Sequence, residues 1–189
     1  MSADRAAAAN VLGAVALAVA GQIPVTVRAG GGRSDSSAAA LSALYHFPGH
    51  PTVDRLGQVL GLTHSGAVRL VDRLADAGLV ERGPGADRRS RSVRLTAAGR
   101  RAAHRMSGQR IAYLTSLLAG LSPAETRTLH HLLGRVMAQV VQHKQGGAWI
   151  CRMCHLQACG RAAGNCPAAN AAAIKYAAIP PGEHRHGDP

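Results

Sequence analysis

The sequence predicts a mainly α-helical fold with one small β-hairpin. Apolar residues recur at helical spacing through most of the 189-residue chain. Two short segments, 79–82 and 92–95, instead alternate like half-buried strands on either side of the polar loop GPGADRRSR. Only five residues are aromatic, so Ala, Leu and Val must fill the core. This composition favours closely packed helices over a sandwich of sheets.

The stretch 52–96 organises the chain as helix, turn, helix and hairpin. Thr52 and Thr63 are residue types that cap helix N-termini, and Gly61 and Gly78 are residue types that end helices. The second helix has one apolar face, formed by Ala67, Leu70, Val71 and Leu74. Its opposite face is largely polar and repeats at intervals of three and four residues, so it is expected to face solvent or a partner.

This arrangement predicts a winged helix-turn-helix that binds DNA. A helix fits the major groove, and a basic loop beside it reaches phosphates or the minor groove. The formal net charge of +12 indicates a polyanionic partner, either nucleic acid or an anionic membrane surface. The alternative is a small helical domain with a solvated charged face. The order helix, turn, helix, arginine-tipped hairpin favours DNA.

The chain resembles the MarR family of winged helix-turn-helix transcription factors over about residues 35–145. The matching words are LTHSGAVRLVDRLADAGLVER and DRRSRSVRLTAAG. The specific part consists of Asp87, Arg89, Leu95, Thr96 and Gly99. The resemblance implies long dimerisation helices, an obligate homodimer, the second helix in the major groove and the wing near the minor groove.

The resemblance also implies which residues contact DNA. From the helix these are Thr63, His64, Ser65, Val68, Arg69 and Arg73; from the wing they are Arg88, Arg89 and Arg91, with Asp87 holding the shape of the wing. Val68 departs from the family, which often has Ser or Thr there. A Val side chain meets a thymine methyl but makes no hydrogen bond, so no base preference carries over.

As partners the resemblance implies a pseudo-palindromic double-stranded operator with half-sites about one helical turn apart, and a second copy of the chain. Repression of transcription is the expected outcome of binding. A small-molecule ligand between the two lobes of the dimer fits the same family pattern. We expect a cytoplasmic protein with no membrane partner.

Composition and punctuation divide the chain into four parts. These are an N-terminal dimerisation helix and linker (1–33), the winged helix-turn-helix (34–96), a helical hairpin for dimerisation (97–145), and a Cys-rich segment with a tail (146–189). The first part is predicted to be helical over 3–20 and a linker over 21–33. Within the second part, Leu41, Leu44 and Tyr45 are expected to point inward. The third part restarts at Ser122 with a capping box.

The N-terminus also imitates the apolar core of a signal peptide over 11–20. The preceding residues MSADR carry one acid and one base, so they lack the positive bias of a secretory signal. No stretch is expected to reach the roughly 18 apolar residues of a membrane-spanning helix.

The four cysteines lie together as CRMCHLQACGRAAGNC, at Cys151, Cys154, Cys159 and Cys166. Cytosolic thiols stay reduced, and clustered thiolates are ligands for Zn²⁺ or an iron–sulfur cluster. A single Cys-x2-Cys pair followed by widening gaps and a proline favours the cluster slightly over zinc. His155 is a candidate replacement ligand. A thiol or disulfide switch and inert cysteines remain as alternatives. A metal or redox site on these cysteines is expected to tune DNA binding.

Two other functions compete with transcription regulation. One is a redox or metal-binding protein, either an electron carrier or an enzyme, built on the cysteine segment. No carboxylate pair, Gly-rich phosphate loop or Ser/His/Asp set is recognisable by motif, so we expect no catalytic residues and no enzyme. The other is a protein-binding winged-helix adaptor, which the basic wing disfavours.

Overall fold

The computed structural model describes residues 2–29, 34–46, 49–84 and 91–177. Over these residues the chain is mostly helical with a two-stranded antiparallel hairpin, which confirms the predicted fold class. The elements are α1 (Ala3–Ala29), α2 (Asp35–His46), α3 (Val53–Leu60), α4 (His64–Asp76), β1 (Val80–Pro84), β2 (Arg91–Leu95), α5 (Ala97–Ser116), α6 (Pro123–His143), α7 (Leu156–Cys159) and α8 (Pro167–Ala177), with 3₁₀ turns at Ile150–Met153 and Arg161–Ala163.

The predicted caps position the helix-turn-helix. Thr52, Thr63 and Thr96 each accept a hydrogen bond at the side-chain oxygen from the backbone N–H three residues later. Each cap satisfies one of the N–H groups that a helix leaves unpaired at its start. Gly61 and Gly78 have φ values of +66° and +67°, the left-handed conformation that glycine adopts without a Cβ penalty.

The main core lies between α2, α3, α4, the hairpin and α5. Its fully buried large side chains are Leu41, Leu56, Leu70, Leu74, Val71 and Val93. Small residues of α2 and α5, such as Ala40 and Ala103, let these helices approach closely. Leu, Val and Ala therefore fill this core, as the scarcity of aromatic residues predicts.

A second, smaller cluster joins the C-terminal segment to α6. Val141, Cys166, Ala168 and Ala171 are buried there. The Lys175 ammonium of α8 donates hydrogen bonds to the carbonyls of Val141 and Lys144 at 3.1 and 2.6 Å. The lysine thereby satisfies carbonyl groups at the C-terminal end of α6.

The N-terminal prediction was wrong in two respects. Residues 21–29 continue α1 rather than forming a linker. Gly and Pro lower helix propensity there, but α1 lies along α5 and Ile23 packs against the main core, and such contacts override propensity. Moreover, Ala3–Ile23 is long and apolar enough to cross a membrane by length and composition, contrary to expectation, and no part of that window is buried.

The face of α2 also differs in part from its prediction. Leu41 is buried and Leu44 is half-buried, but Tyr45 is exposed. The Tyr45 ring stands edge-on to His46 and His104, at centroid distances of 4.9 and 6.3 Å. The small core between α2 and α5 is filled by alanine, which leaves the larger ring outside it.

Candidate nucleic-acid interface

Helix α4 presents a polar face to solvent because its apolar face is fully used by the core. Ala67, Leu70, Val71 and Leu74 are buried. Of the predicted DNA contacts on this helix, Thr63, His64, Ser65, Arg69 and Arg73 are exposed and Val68 is half-buried. The structure therefore leaves all six predicted side chains outside the core, on a helix that is itself firmly packed.

The first turn of α4 is linked to α3 by an exposed pair. The ring Nδ1 of His64 lies 2.5 Å from the Asp54 carboxylate. The sequence indicated His64 as a DNA contact but did not indicate this partner. With Nδ1 engaged by the carboxylate, Nε2 is the ring atom left to meet a base or a phosphate.

The hairpin is fastened beside α4. The Arg82 guanidinium of β1 lies 2.5 Å from the Asp72 carboxylate of α4, and Arg94 faces Glu81 across the two strands at 3.6 Å. Arg91, a predicted wing contact, is exposed at the start of β2. The other predicted wing residues, Asp87, Arg88 and Arg89, lie outside the described residues.

A joint between the end of α4 and the start of α5 was not recognised as such from the sequence. Thr96 donates from its hydroxyl to the Gly78 carbonyl at 2.7 Å and from its backbone N–H to the Leu79 carbonyl at 3.1 Å. A Cβ on Gly99 would stand 1.9 Å from the Leu79 carbonyl oxygen, so only glycine fits. The motif Leu-Thr-x-x-Gly therefore joins α5 to the end of α4 and the start of the hairpin.

The C-terminal segment is attached to the turn of the helix-turn-helix. The Trp149 N–H donates to the Val59 carbonyl at 2.8 Å, which satisfies a carbonyl in the last turn of α3. The Arg55 guanidinium lies 4.6 Å from the centre of the Trp149 ring. A Cβ on Gly61 would stand 2.5 Å from the Ala148 backbone nitrogen. These contacts link residues 148–149 directly to α3, and no sequence pattern indicated them.

The four cysteines are free thiols gathered in one region. Cys151 and Cys154 are hydrogen-bonded to each other through their side chains, while Cys159 and Cys166 lie within electrostatic range of Cys154. Cys166 is buried and the others are half-buried. Across the described ranges, however, no three His, Cys, Asp or Glu side chains already stand close enough together to hold a metal ion.

The thiol pair and its neighbours have perturbed proton affinities. The hydrogen bond from Cys151 lowers the pKa of Cys154 to about 7, with the positive charge of Arg110 contributing further. The same hydrogen bond, together with burial, raises the pKa of Cys151. Burial lowers the pKa of Arg110, an effect that Cys154 opposes. Cys154 is therefore the thiol of the pair that ionises first and is the more reactive.

A cavity of about 450 Å³ opens between α3, α6, α8 and the cysteine segment. Cationic and aromatic side chains line it, among them Arg55, Lys144, Trp149, Arg161 and Tyr176. Its chemistry suits an anionic molecule with an apolar body.

The fold is that of a winged helix-turn-helix with an exposed, largely polar face on α4. Residues 32–90 match the model of the MarR family. The chain thus carries the DNA-binding fold of MarR-family transcription regulators, and the predicted resemblance is confirmed. Among curated proteins, no sequence matches the chain.

Solved structures show the same fold at low sequence identity. A MarR family protein from Bacillus stearothermophilus is 22% identical with a TM-score of 0.64, covering 74% of this chain and 99% of that one. CouR from Rhodococcus jostii, bound to p-coumaroyl-CoA, is 23% identical with a TM-score of 0.53, covering 67% and 88%. A MepR mutant from Staphylococcus aureus, bound to an oligodeoxyribonucleotide, is 16% identical with a TM-score of 0.54, covering 70% and 96%.

Proposed function

We propose that this protein is a homodimeric, sequence-specific DNA-binding transcription regulator that represses its target genes in the cytoplasm. The observation that carries the proposal is the division of α4 into a buried apolar face and an exposed face bearing His64, Ser65, Arg69 and Arg73. Short polar and cationic side chains on one helix face are the groups that read base edges and phosphates in the major groove. MepR, of the same fold, binds an oligodeoxyribonucleotide.

The unpartnered apolar surface of the long helices supports a homodimer. Exposed large apolar side chains lie on α1, in the connection between α5 and α6, and on α6; they are Val11, Leu12, Val15, Leu17, Leu117, Leu118, Leu121, Leu132, Leu133, Val136 and Val140. Exposed apolar surface of this extent marks an interaction site. A second copy of the chain covers it and places two α4 helices on one operator.

By length and composition, the exposed apolar α1 also fits a membrane-spanning helix. A second copy of the chain and a lipid bilayer are therefore the two candidates to cover α1, and one experiment distinguishes them. Fractionation of cells that express the full chain decides between them. The proposed dimer predicts recovery in the soluble fraction without detergent. Recovery in the membrane fraction would contradict both the cytoplasmic location and the use of α1 in a dimer.

A small-molecule effector is part of the proposal. CouR, of the same fold, binds p-coumaroyl-CoA. In this chain the cavity beside Trp149 has cationic and aromatic walls and borders α3 of the reading unit. An anionic aromatic effector held there would act on the helix-turn-helix through the contacts of Trp149 with α3.

Dimer formation is tested by the mass of the protein in solution. Light scattering after gel filtration is expected to give a dimer for the wild type and a monomer for Leu133→Glu, because the added carboxylate would be buried without a partner. The matched control is Thr128→Glu, at an exposed polar position of α6, which is expected to stay dimeric. A monomeric wild type would overturn the dimer.

DNA recognition is tested with duplexes from upstream of the protein's own gene and scrambled duplexes, by fluorescence anisotropy at several salt concentrations. Arg69→Ala is expected to weaken specific binding by about tenfold or more, as for loss of a base-edge contact. Arg91→Ala is expected to weaken binding to all sequences and to reduce the salt dependence. Arg127→Ala, which removes one exposed charge from α6, is the control and should bind like the wild type. Equal affinity for both duplexes would overturn the regulatory function.

A further inference from the structure

The cysteine segment brings its four thiols near one another, with Cys151, Cys159 and Cys166 all within electrostatic range of Cys154. Cys151 and Cys154 share one turn, in which the Cys154 N–H donates to the Cys151 carbonyl at 2.9 Å. Gly160 and Gly164, with φ values of +66° and +72°, reverse the chain between Cys159 and Cys166. Cys151 and Cys159 then pack against the cluster that buries Cys166. Short turns thereby bring together thiols that are up to fifteen positions apart in the sequence.

Two buried nitrogen atoms beside the thiols have unused hydrogen-bonding capacity. Among the described residues, Arg110 Nε and His155 Nδ1 are buried side-chain atoms with no hydrogen-bond partner. Arg110 of α5 lies within electrostatic range of Cys154, and the His155 ring lies 5.3 Å from the ring of His46 in α2. The buried unpaired N–H of Arg110 is costly, and negative charge on the neighbouring Cys154 sulfur would offset that cost.

Four thiolates around a metal supply that negative charge. A centre of four thiolates with Zn²⁺, or with an iron–sulfur cluster, carries net negative charge that a buried guanidinium offsets. Such a centre requires the thiols to close in from their present positions, in which they do not form a ligand shell. The donor set and its surroundings fit a thiolate-bound metal, and ligation would lock the short turns that carry the thiols.

The segment that carries the thiols is also the segment that contacts the helix-turn-helix. Cys151 follows Trp149 by two positions, and Trp149 donates to the last turn of α3 while its ring meets Arg55. The Arg152 guanidinium donates to the Trp149 carbonyl at 2.8 Å. A change in the placement of Cys151 is therefore passed to α3 through Ile150 and Trp149.

We propose that Cys151, Cys154, Cys159 and Cys166 bind one thiolate-ligated metal centre per chain, and that its occupancy sets operator affinity through Trp149. The centre is an iron–sulfur cluster or Zn²⁺, which share the same four-thiolate chemistry. Each thiol loses its proton on binding. The metal site rests on the donor set of four neighbouring thiols and on the buried nitrogen atoms beside them, whereas the regulatory link rests on the proposed DNA-binding function.

The metal site is tested on full-length protein purified anaerobically, by measuring iron, acid-labile sulfide and zinc together with the visible absorption spectrum. The wild type is expected to hold one centre per chain: iron with sulfide and colour mark a cluster, whereas colourless zinc marks a Zn²⁺ site. Cys154→Ser and Cys159→Ser are expected to lose most of the metal. The control Gln157→Ala, an exposed position between them, is expected to keep it.

Folding of each variant is checked by circular dichroism, and metal-free wild type is also titrated with Zn²⁺ before and after its thiols are blocked. Binding of about one Zn²⁺ per chain that blocking abolishes supports the site. A folded, reduced wild type that holds and takes up no metal overturns it. Metal content unchanged in both cysteine variants, or a purified protein with a Cys151–Cys154 disulfide in place of metal, overturns it as well.

The regulatory link is tested by operator affinity with and without the metal. Removal is expected to weaken wild-type binding by about fivefold or more, the usual size of coupling between sites. Trp149→Ala is expected to keep the metal but to lose this response. Equal wild-type affinity in both states overturns the link and leaves the metal site standing. A chain that holds metal but binds no operator in either state overturns the link through failure of the proposed function alone.

Discussion

Helix α4 and the cysteine segment are held to the molecule by different means. Helix α4 contributes four buried apolar side chains to the main core and begins at a Thr cap. The cysteine segment is held by backbone contacts at residues 148–149, by the half-buried side chains of Trp149 and Met153 against the main core, and by a small cluster made largely of alanine and cysteine. Apolar burial stabilises the first element independently of any ligand, whereas the second has little apolar area of its own. A segment with little buried apolar area is suited to changing its conformation when a ligand binds.

The largest expected effect concerns the joint that ties α4 to α5. Gly99→Ala places a Cβ against the Leu79 carbonyl, so we expect the free energy of unfolding to fall by about 3 kcal/mol. Gly108→Ala, in the same helix with open space around it, is the control and should raise stability by about 0.5–1 kcal/mol. Urea unfolding under reducing conditions measures both. Equal changes in the free energy of unfolding for Gly99→Ala and Gly108→Ala would contradict the close contact between Gly99 and the Leu79 carbonyl.

The next effect isolates the attachment of the cysteine segment. Gly61 and Gly78 share the left-handed conformation, but only at Gly61 would a Cβ meet a neighbour, the Ala148 backbone. Gly78→Ala is expected to lower the free energy of unfolding by about 1 kcal/mol from backbone strain. Gly61→Ala should cost about 1 kcal/mol more because of the added clash. The same denaturant titration measures the pair, and identical losses would contradict a close contact at Ala148.

Hydrogen exchange compares the two regions directly. Backbone amides around Leu70 in α4 should exchange only through global unfolding, whereas those around Ala171 in α8 should exchange at least about tenfold faster through local opening. Mass spectrometry of metal-free protein gives both rates. Protection of Ala171 equal to that of Leu70 would place the cysteine segment in the same cooperative unit as α4.

The smallest expected effect concerns the capping box at the start of α6, which belongs to neither region. Hydrogen bonds with Ser122 hold the pKa of Glu125 below its ordinary value, so the folded state favours the ionised carboxylate. This stabilisation is present above the ordinary glutamate pKa and is lost as the pH falls through the lowered one. Glu125→Gln should therefore melt slightly below the wild type at pH 7, and the difference should shrink in acid. Thermal unfolding at both pH values measures it; a difference that grew in acid would contradict the assigned direction.

The sequence predicted the features that depend on local or periodic signals and missed those that depend on contacts between distant residues. The caps at Thr63 and Thr96 and the buried face of α4 are local or periodic signals, and the structure reproduces them. The extent of α1 was missed because contacts with α5 outweigh the low helix propensity of Gly21 and Pro24. The contact of Trp149 with α3 was missed because a backbone hydrogen bond between residues ninety positions apart leaves no pattern in composition or spacing.

The exposure of the residues predicted to contact DNA was foreseeable because it follows from the position of the apolar stripe on α4. The partner of His64 was not, because Asp54 lies on another helix and the pairing depends on how α3 and α4 cross. Likewise the role of Gly99 depends on where the Leu79 carbonyl lies in space. Sequence spacing identifies a residue such as Gly99 only by resemblance to a family, and it does not show which contact requires that residue.

The close fit of Gly99 against Leu79 bears on how such a protein acquires a new operator. Because Gly99 packs tightly against Leu79, α4 and α5 are expected to move as one rigid body. In the proposed dimer, the length and rotation of α5 therefore set the separation of the two α4 helices. Deleting a single residue near the middle of α5 would rotate one end about 100° relative to the other. In the proposed dimer, α5 would therefore set the half-site spacing without contacting a base, so substitutions on α4 would change base preference and leave that spacing unchanged.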